Sequence, residues 1–165
     1  MGVSGSGKST VALGLSNAIG WEFAEGDDFH SEANIEKMRR GIPLTDADRW
    51  PWLEVIGEWI DAKHADGESA VVSCSALRRA YRDRLRRDRP YVRFLHVMAG
   101  TDVIRDRIEH RSGHYLPPSL LGSQLALLQP LGPDEPGAQI SSEGATAQVV
   151  DRALRALGLP RIRNP

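Results

Sequence analysis

A chain of 165 residues is of single-domain size, and 41% hydrophobic with 26% charged residues excludes wholesale disorder. No apolar run approaches the roughly 20 residues that span a bilayer, and no signal peptide opens the sequence. The one cysteine, Cys74, cannot form an internal disulfide, and a formal charge of -1 gives no general pull toward nucleic acid. The expectation is a soluble, cytoplasmic domain over residues 1–165.

The first residues carry the sharpest signal. Gly2-Val3-Ser4-Gly5-Ser6-Gly7-Lys8-Ser9 fits the P-loop pattern of Gly, four residues, Gly, Lys and Ser or Thr. Its glycines let successive amide N–H groups curl inward onto phosphate oxygens. Lys8 supplies a positive charge for the outer phosphates, and the Ser9 hydroxyl is placed to ligate magnesium. Apolar residues at helical spacing follow from Thr10, so a helix N-terminus faces the phosphates. A P-loop normally joins a buried strand to this helix, yet only Met1 precedes Gly2. Either residues upstream of Met1 carry that first strand, which is the favoured expectation, or the chain does without it, with weaker nucleotide binding and lower stability.

Trp21-Glu22-Phe23-Ala24 reads as a short strand after a helix stop at Gly20. Residues 31–40 look helical. Asp46, Asp48 and Pro51 start another helix, with Trp52, Leu53, Ile56, Trp59 and Ile60 on one buried face. Ala70-Val71-Val72-Ser73-Cys74 and residues 91–97 read as strands around a helix at 77–88. Helices at 101–111 and 146–157 follow, with a Pro/Gly-rich loop at 132–137 and strand character only at Ala138-Gln139-Ile140 in the intervening segment. Strands alternating with helices argue for an α/β fold with a central parallel sheet covered on both faces, and ligands then belong at the carboxyl ends of the strands. The arginines of 78–93 are interleaved with Asp83 and Asp88 and read as a solvated face rather than a nucleic-acid surface.

The apolar run at 70–72 ends in Ser73-Cys74-Ser75, with no acid. The acids follow the earlier strand instead, as Glu25-Gly26-Asp27-Asp28. Strand alternation puts Glu25 and Asp27 on one side, with Gly26 leaving room between them. That pair suits a small-molecule kinase: one carboxylate near the magnesium shell, the other holding the acceptor hydroxyl. An acidic surface turn is the bland alternative. His30 reads as a structural hydrogen-bonder or a substrate contact. Arg107 and Arg111 share a helical face and run into Ser112-Gly113-His114, and a second helix restarts at Ser119. A closing lid over about 105–130, its arginines neutralising transition-state charge, has this form; so does a helix hairpin with surface arginines.

At this point the chain resembles the gluconate kinases of the adenylate- and shikimate-kinase-like P-loop group. The match runs through Glu25-Gly26-Asp27-Asp28-Phe29-His30, Gly41-Ile42-Pro43-Leu44, Asp48-Arg49, Pro51-Trp52-Leu53, Cys74-Ser75-Ala76-Leu77-Arg78-Arg79, Gly113-His114-Tyr115 and Ser123-Gln124. The resemblance implies a three-layer P-loop fold with a helical lid, acting as an ATP-dependent, magnesium-dependent kinase of D-gluconate. It also implies a homodimer, while charge and composition lead one to expect no nucleic-acid or membrane partner. Gly2, Ser4, Gly5, Ser6, Gly7, Lys8, Ser9 and Thr10 would form the nucleotide cradle. Asp27 would orient the acceptor hydroxyl and take its proton, and Glu25 would join Ser9 in the magnesium shell. His30, Arg49, Arg78 and His114 would grip the sugar acid, and Arg107 and Arg111 would serve the lid. Gln129 stands where the resemblance leads one to expect an acid. A shikimate- or nucleoside-monophosphate-type kinase remains the alternative on the same scaffold, as does a nucleotide-binding regulatory protein without turnover.

Overall fold

The structure is a computed structural model and describes residues 1–110 and 119–162. In chain order the elements are α1 (Lys8–Ile19), β1 (Glu22–Glu25), a 3₁₀ turn (Gly26–Phe29), α2 (Glu32–Arg39) and α3 (Asp46–Ala65). They continue as β2 (Ala70–Ser73), α4 (Arg79–Arg86), β3 (Phe94–Met98), α5 (Thr101–Glu109), α6 (Ser119–Leu127), β4 (Gly137–Ser141) and α7 (Thr146–Leu157). Among the described residues no helix is long and apolar enough to cross a membrane.

Local chemistry accounts for the helix starts. Thr45 caps α3 in a capping box: its hydroxyl accepts from the Asp48 amide while the Asp48 carboxylate accepts from the Thr45 amide. Ser31 caps α2 by accepting from the Asn34 amide. The N-cap residue of α4, Arg78, makes no side-chain cap. Gln129 supplies one from a distance, its Oε1 accepting from the Arg79 amide at 2.6 Å. The amide at the expected acid position thus has a capping role of its own.

Both strand pairs are parallel, β1 with β2 in the register Glu22 to Ala70, and β3 with β4 in the register Phe94 to Gly137. Alternation along the strands separates two cores. Val71, Leu95 and Val97 turn toward α1 and α7, whereas Val72 and Phe94 turn toward α3 and α4. Helices therefore cover both faces, as a three-layer α/β arrangement requires.

Among the described residues the parallel strands form two two-stranded sheets, with Met1 and Gly2 between them. The Met1 amine donates to the Leu95 carbonyl at 2.5 Å. The Val97 amide donates to the Met1 carbonyl at 2.9 Å, and the Gly2 amide donates to Ser75 on the other side at 3.1 Å. Behind this two-residue bridge lies a cavity of about 360 Å³, lined largely by apolar residues of α1, β2 and β3.

Candidate active site

The P-loop curls because its glycines take backbone angles that other residues resist. Gly5 (φ 76°) and Gly7 (φ 95°) are left-handed. A Cβ on Gly5 would also lie 2.9 Å from the Ile108 side chain, so the loop packs directly on α5. Lys8 Nζ donates to the Val3 carbonyl at 3.0 Å, folded back along the loop. Ser9 Oγ lies 3.5 Å from Ser73 Oγ at the end of β2. Ser6 is buried, with its hydroxyl unpartnered; Thr10 lies exposed on the first turn of α1.

Glu25 ends β1, and Asp27 sits in the 3₁₀ turn that follows it. Strand alternation is therefore not what brings the two acids together; the turn does so. Gly26 has a different use from the one expected. A Cβ there would lie 2.2 Å from the Ser73 carbonyl, so glycine admits the backbone of β2 rather than separating two carboxylates. The buried Trp52 indole donates to the Gly26 carbonyl at 2.7 Å and fixes the turn from the α3 side.

Ser4, Lys8, Ser9, Glu25, Asp27, His30 and Arg49 line one cavity of about 60 Å³ whose wall also includes Leu44, Leu77 and Leu120, with Ser123 and Gln124 of α6 beside them. His30 stacks on Trp52, with ring centroids 4.2 Å apart. Burial, reinforced by the Arg49 charge, lowers its pKa to about 4, so at neutral pH its imidazole is uncharged. Gln124 Oε1 accepts from the Ser4 amide at 2.6 Å, tying α6 to the P-loop.

Two arginines lie elsewhere. Arg78 pairs with Asp46 at 2.6 Å and does not line this cavity. Arg107 donates to Ser142 Oγ at 2.8 Å and reaches the Gly5 and Ser6 carbonyls at 3.4 Å, bracing the P-loop against the end of β4. Arg111 and His114 lie outside the described residues. Sequence reasoning assigned no role to Ser73, Gln124 or Trp52. Ser123-Gln124 stood within a family block, but nothing in its spacing marks a contact with Ser4, 120 residues away.

Hard oxygen donors suit magnesium, and Ser9 and Glu25 offer them at one cavity. Among the described residues no group of three His, Cys, Asp or Glu side chains is arranged to hold a metal by itself. The donor set fits an ion that arrives with a nucleotide's phosphates.

A phosphate cradle at the carboxyl end of parallel strands, opening on a cavity with two carboxylates, defines a P-loop small-molecule kinase. Comparison with known proteins narrows the class. The family model described as an AAA domain matches residues 1–131. A gluconokinase of Gluconobacter oxydans is 48% identical over 155 residues, covering 94% of this chain and 87% of that protein. The unliganded crystal structure of a sugar kinase from Janibacter sp. HTCC2649 superposes with a TM-score of 0.91 at 52% identity, covering 96% of this chain and 92% of that one. The crystal structure of a gluconokinase from Sinorhizobium meliloti gives a TM-score of 0.85 at 45% identity, covering 96% of this chain and 89% of that one. The chain belongs to the gluconokinase family of P-loop kinases.

Proposed function

We propose that this chain transfers the γ-phosphoryl group of ATP to the 6-hydroxyl of D-gluconate, giving 6-phosphogluconate and ADP. The observation that carries the reading is one cavity in which Lys8 and Ser9 of the cradle meet Glu25, Asp27, His30 and Arg49. Family membership at 48% identity to a gluconokinase supports the same acceptor.

The roles follow from the chemistry of each group. The P-loop amides and Lys8 hold the phosphates and offset the charge that develops as the bond from the γ-phosphorus to its bridging oxygen breaks. Asp27 accepts the proton of the acceptor hydroxyl as that oxygen bonds to phosphorus. Ser9 and Glu25 would hold a magnesium ion, which would supply charge neutralisation. Neutral His30 hydrogen-bonds the polyol, and the Arg49 guanidinium pairs with the carboxylate. Arg107 holds the P-loop in shape and Arg78 stands outside the cavity, paired with Asp46, while Arg111 and His114 complete the acceptor and lid contacts. A cytoplasmic homodimer of one kinase domain per chain, with residues 105–130 as its lid, completes the proposal.

The test is ADP release with Mg-ATP and gluconate, shikimate, nucleoside monophosphates or no acceptor. Turnover confined to gluconate is expected. Turnover with shikimate or a nucleotide, or ATP binding with no acceptor-dependent turnover, would overturn the reading.

A further inference from the structure

Beside the cavity Arg49 and Arg78 meet two residues that the roles above do not use, Tyr81 and Asp46. Tyr81 of α4 is 1% exposed, and its ring meets Trp50 edge-on at 5.4 Å. Its hydroxyl donates to Asp46 Oδ1 at 2.5 Å and accepts from Arg49 Nη1 at 3.3 Å. Arg78 closes the other side, bonding Asp46 Oδ2 at 2.6 Å. Both guanidinium groups also stand over the Tyr81 ring, at 5.6 Å for Arg49 and 5.9 Å for Arg78.

The charges in this cluster do not cancel. Bonds from Tyr81 and Arg78 hold the Asp46 carboxyl below its ordinary range, so it is ionised at neutral pH. Arg78 neutralises it. Among the described residues Arg49 makes no ion pair, and of the two arginines it is Arg49 that lines the cavity. A phenol that gives its only proton to Asp46 has lone pairs alone left to offer Arg49. The direction of that bond is thus set by Asp46, and it leaves the other guanidinium N–H groups of Arg49 for a ligand.

We propose that Tyr81 and Asp46 are a specificity-determining positioning pair. Asp46 orients the Tyr81 hydroxyl, which aims Arg49 as the anchor for a terminal carboxylate and makes the site select an aldonic acid over the neutral alditol of the same length. Arg78 serves the cluster by balancing Asp46. This inference rests on the proposed gluconate kinase activity and deepens it. Arg49 and Arg78, alike in a sequence reading, here have different duties.

The experiment compares the folded wild-type chain with Tyr81→Phe, which keeps the ring and its packing and removes only the hydroxyl. With Tyr81→Phe the KM for gluconate should rise about tenfold, the effect of losing a hydrogen bond to a charged group. The KM for ATP should stay within about twofold, and the preference for gluconate over glucitol in kcat/KM should fall by a similar factor of about ten. Arg49→Lys keeps the charge without the planar fork and should show the same split between the two KM values, which secures the test if Tyr81→Phe folds poorly. An unchanged gluconate KM in folded Tyr81→Phe, or equal rises in both KM values, overturns the positioning role while leaving the activity intact, and an unchanged gluconate KM in Arg49→Lys overturns the anchor that the pair is proposed to aim. A wild-type chain that does not phosphorylate gluconate overturns the activity itself and this inference with it.

Discussion

The two cavities described above differ in kind, and the smaller one gathers the candidate catalytic residues. The cavity of about 360 Å³ lies between the two half-sheets and is walled mainly by valines, leucines and aromatic rings. The cavity of about 60 Å³ at the strand ends collects Lys8, Ser9, Glu25, Asp27, His30 and Arg49. Volume alone does not mark a site; convergent polar groups mark where a reaction can be run. The two meet at the P-loop, since Lys8 touches both. The larger cavity should therefore govern stability and the smaller one turnover.

The sharpest break between them is Lys8→Ala. Turnover should fall by at least about 10³-fold as the charge on the outer phosphates is lost. The thermal midpoint should change little, which a melt beside the kinetic assay checks. Next comes Asp27→Asn, which should cost about 10²–10⁴-fold in kcat with ATP binding retained; near-normal kcat would remove Asp27 as the base. On the apolar side Leu85, 3% exposed at the cavity wall, reverses the pattern. Leu85→Ala should destabilise by about 2–5 kcal/mol in urea melts, while kcat at a permissive temperature stays near wild type.

A smaller effect is one of pH, and both regions contribute. Burial lowers the His30 and His96 imidazoles from 6.5 to about 4. It lowers the Met1 amine from 8.0 to about 5. The folded state then binds fewer protons than the unfolded chain between those values, so stability rises with pH across the window. It should be complete above about pH 8 and decline progressively toward pH 4. Urea midpoints at pH 8, 6 and 4.5 measure it. An Asn at His96 should flatten the lower part of that slope, since His96 is buried with Nδ1 unpartnered.

Much of the architecture could be read from sequence because it is written in near neighbours. The helix expected at 146–157 is α7, with Gly158 left-handed behind it. Strand character at Ala138-Gln139-Ile140 grew into the five residues of β4. The strand expected at 91–97 starts later, at Phe94, because the chain is still turning after Pro90 and the Arg89 carbonyl accepts from the Val92 amide. The 3₁₀ turn at Gly26 could not be read by alternation, since it exists to let Ser73 approach.

The chemical identity of the cradle was local from the start: glycines that allow left-handed angles, a lysine and a serine at fixed offsets, and a helix behind them. Such features need only the geometry of a few consecutive residues. Which arginine faces the acceptor is a different kind of fact. Arg49 and Arg78 both stand in family blocks, and their roles part only because Asp46 and Tyr81, 35 residues apart, meet in space. The duty of Gln124 at Ser4 likewise appears only once the chain has folded. Backbone angles answer to neighbouring residues, but a side chain's partner is chosen by packing between elements distant in the chain, and there the sequence has no period or motif to show it.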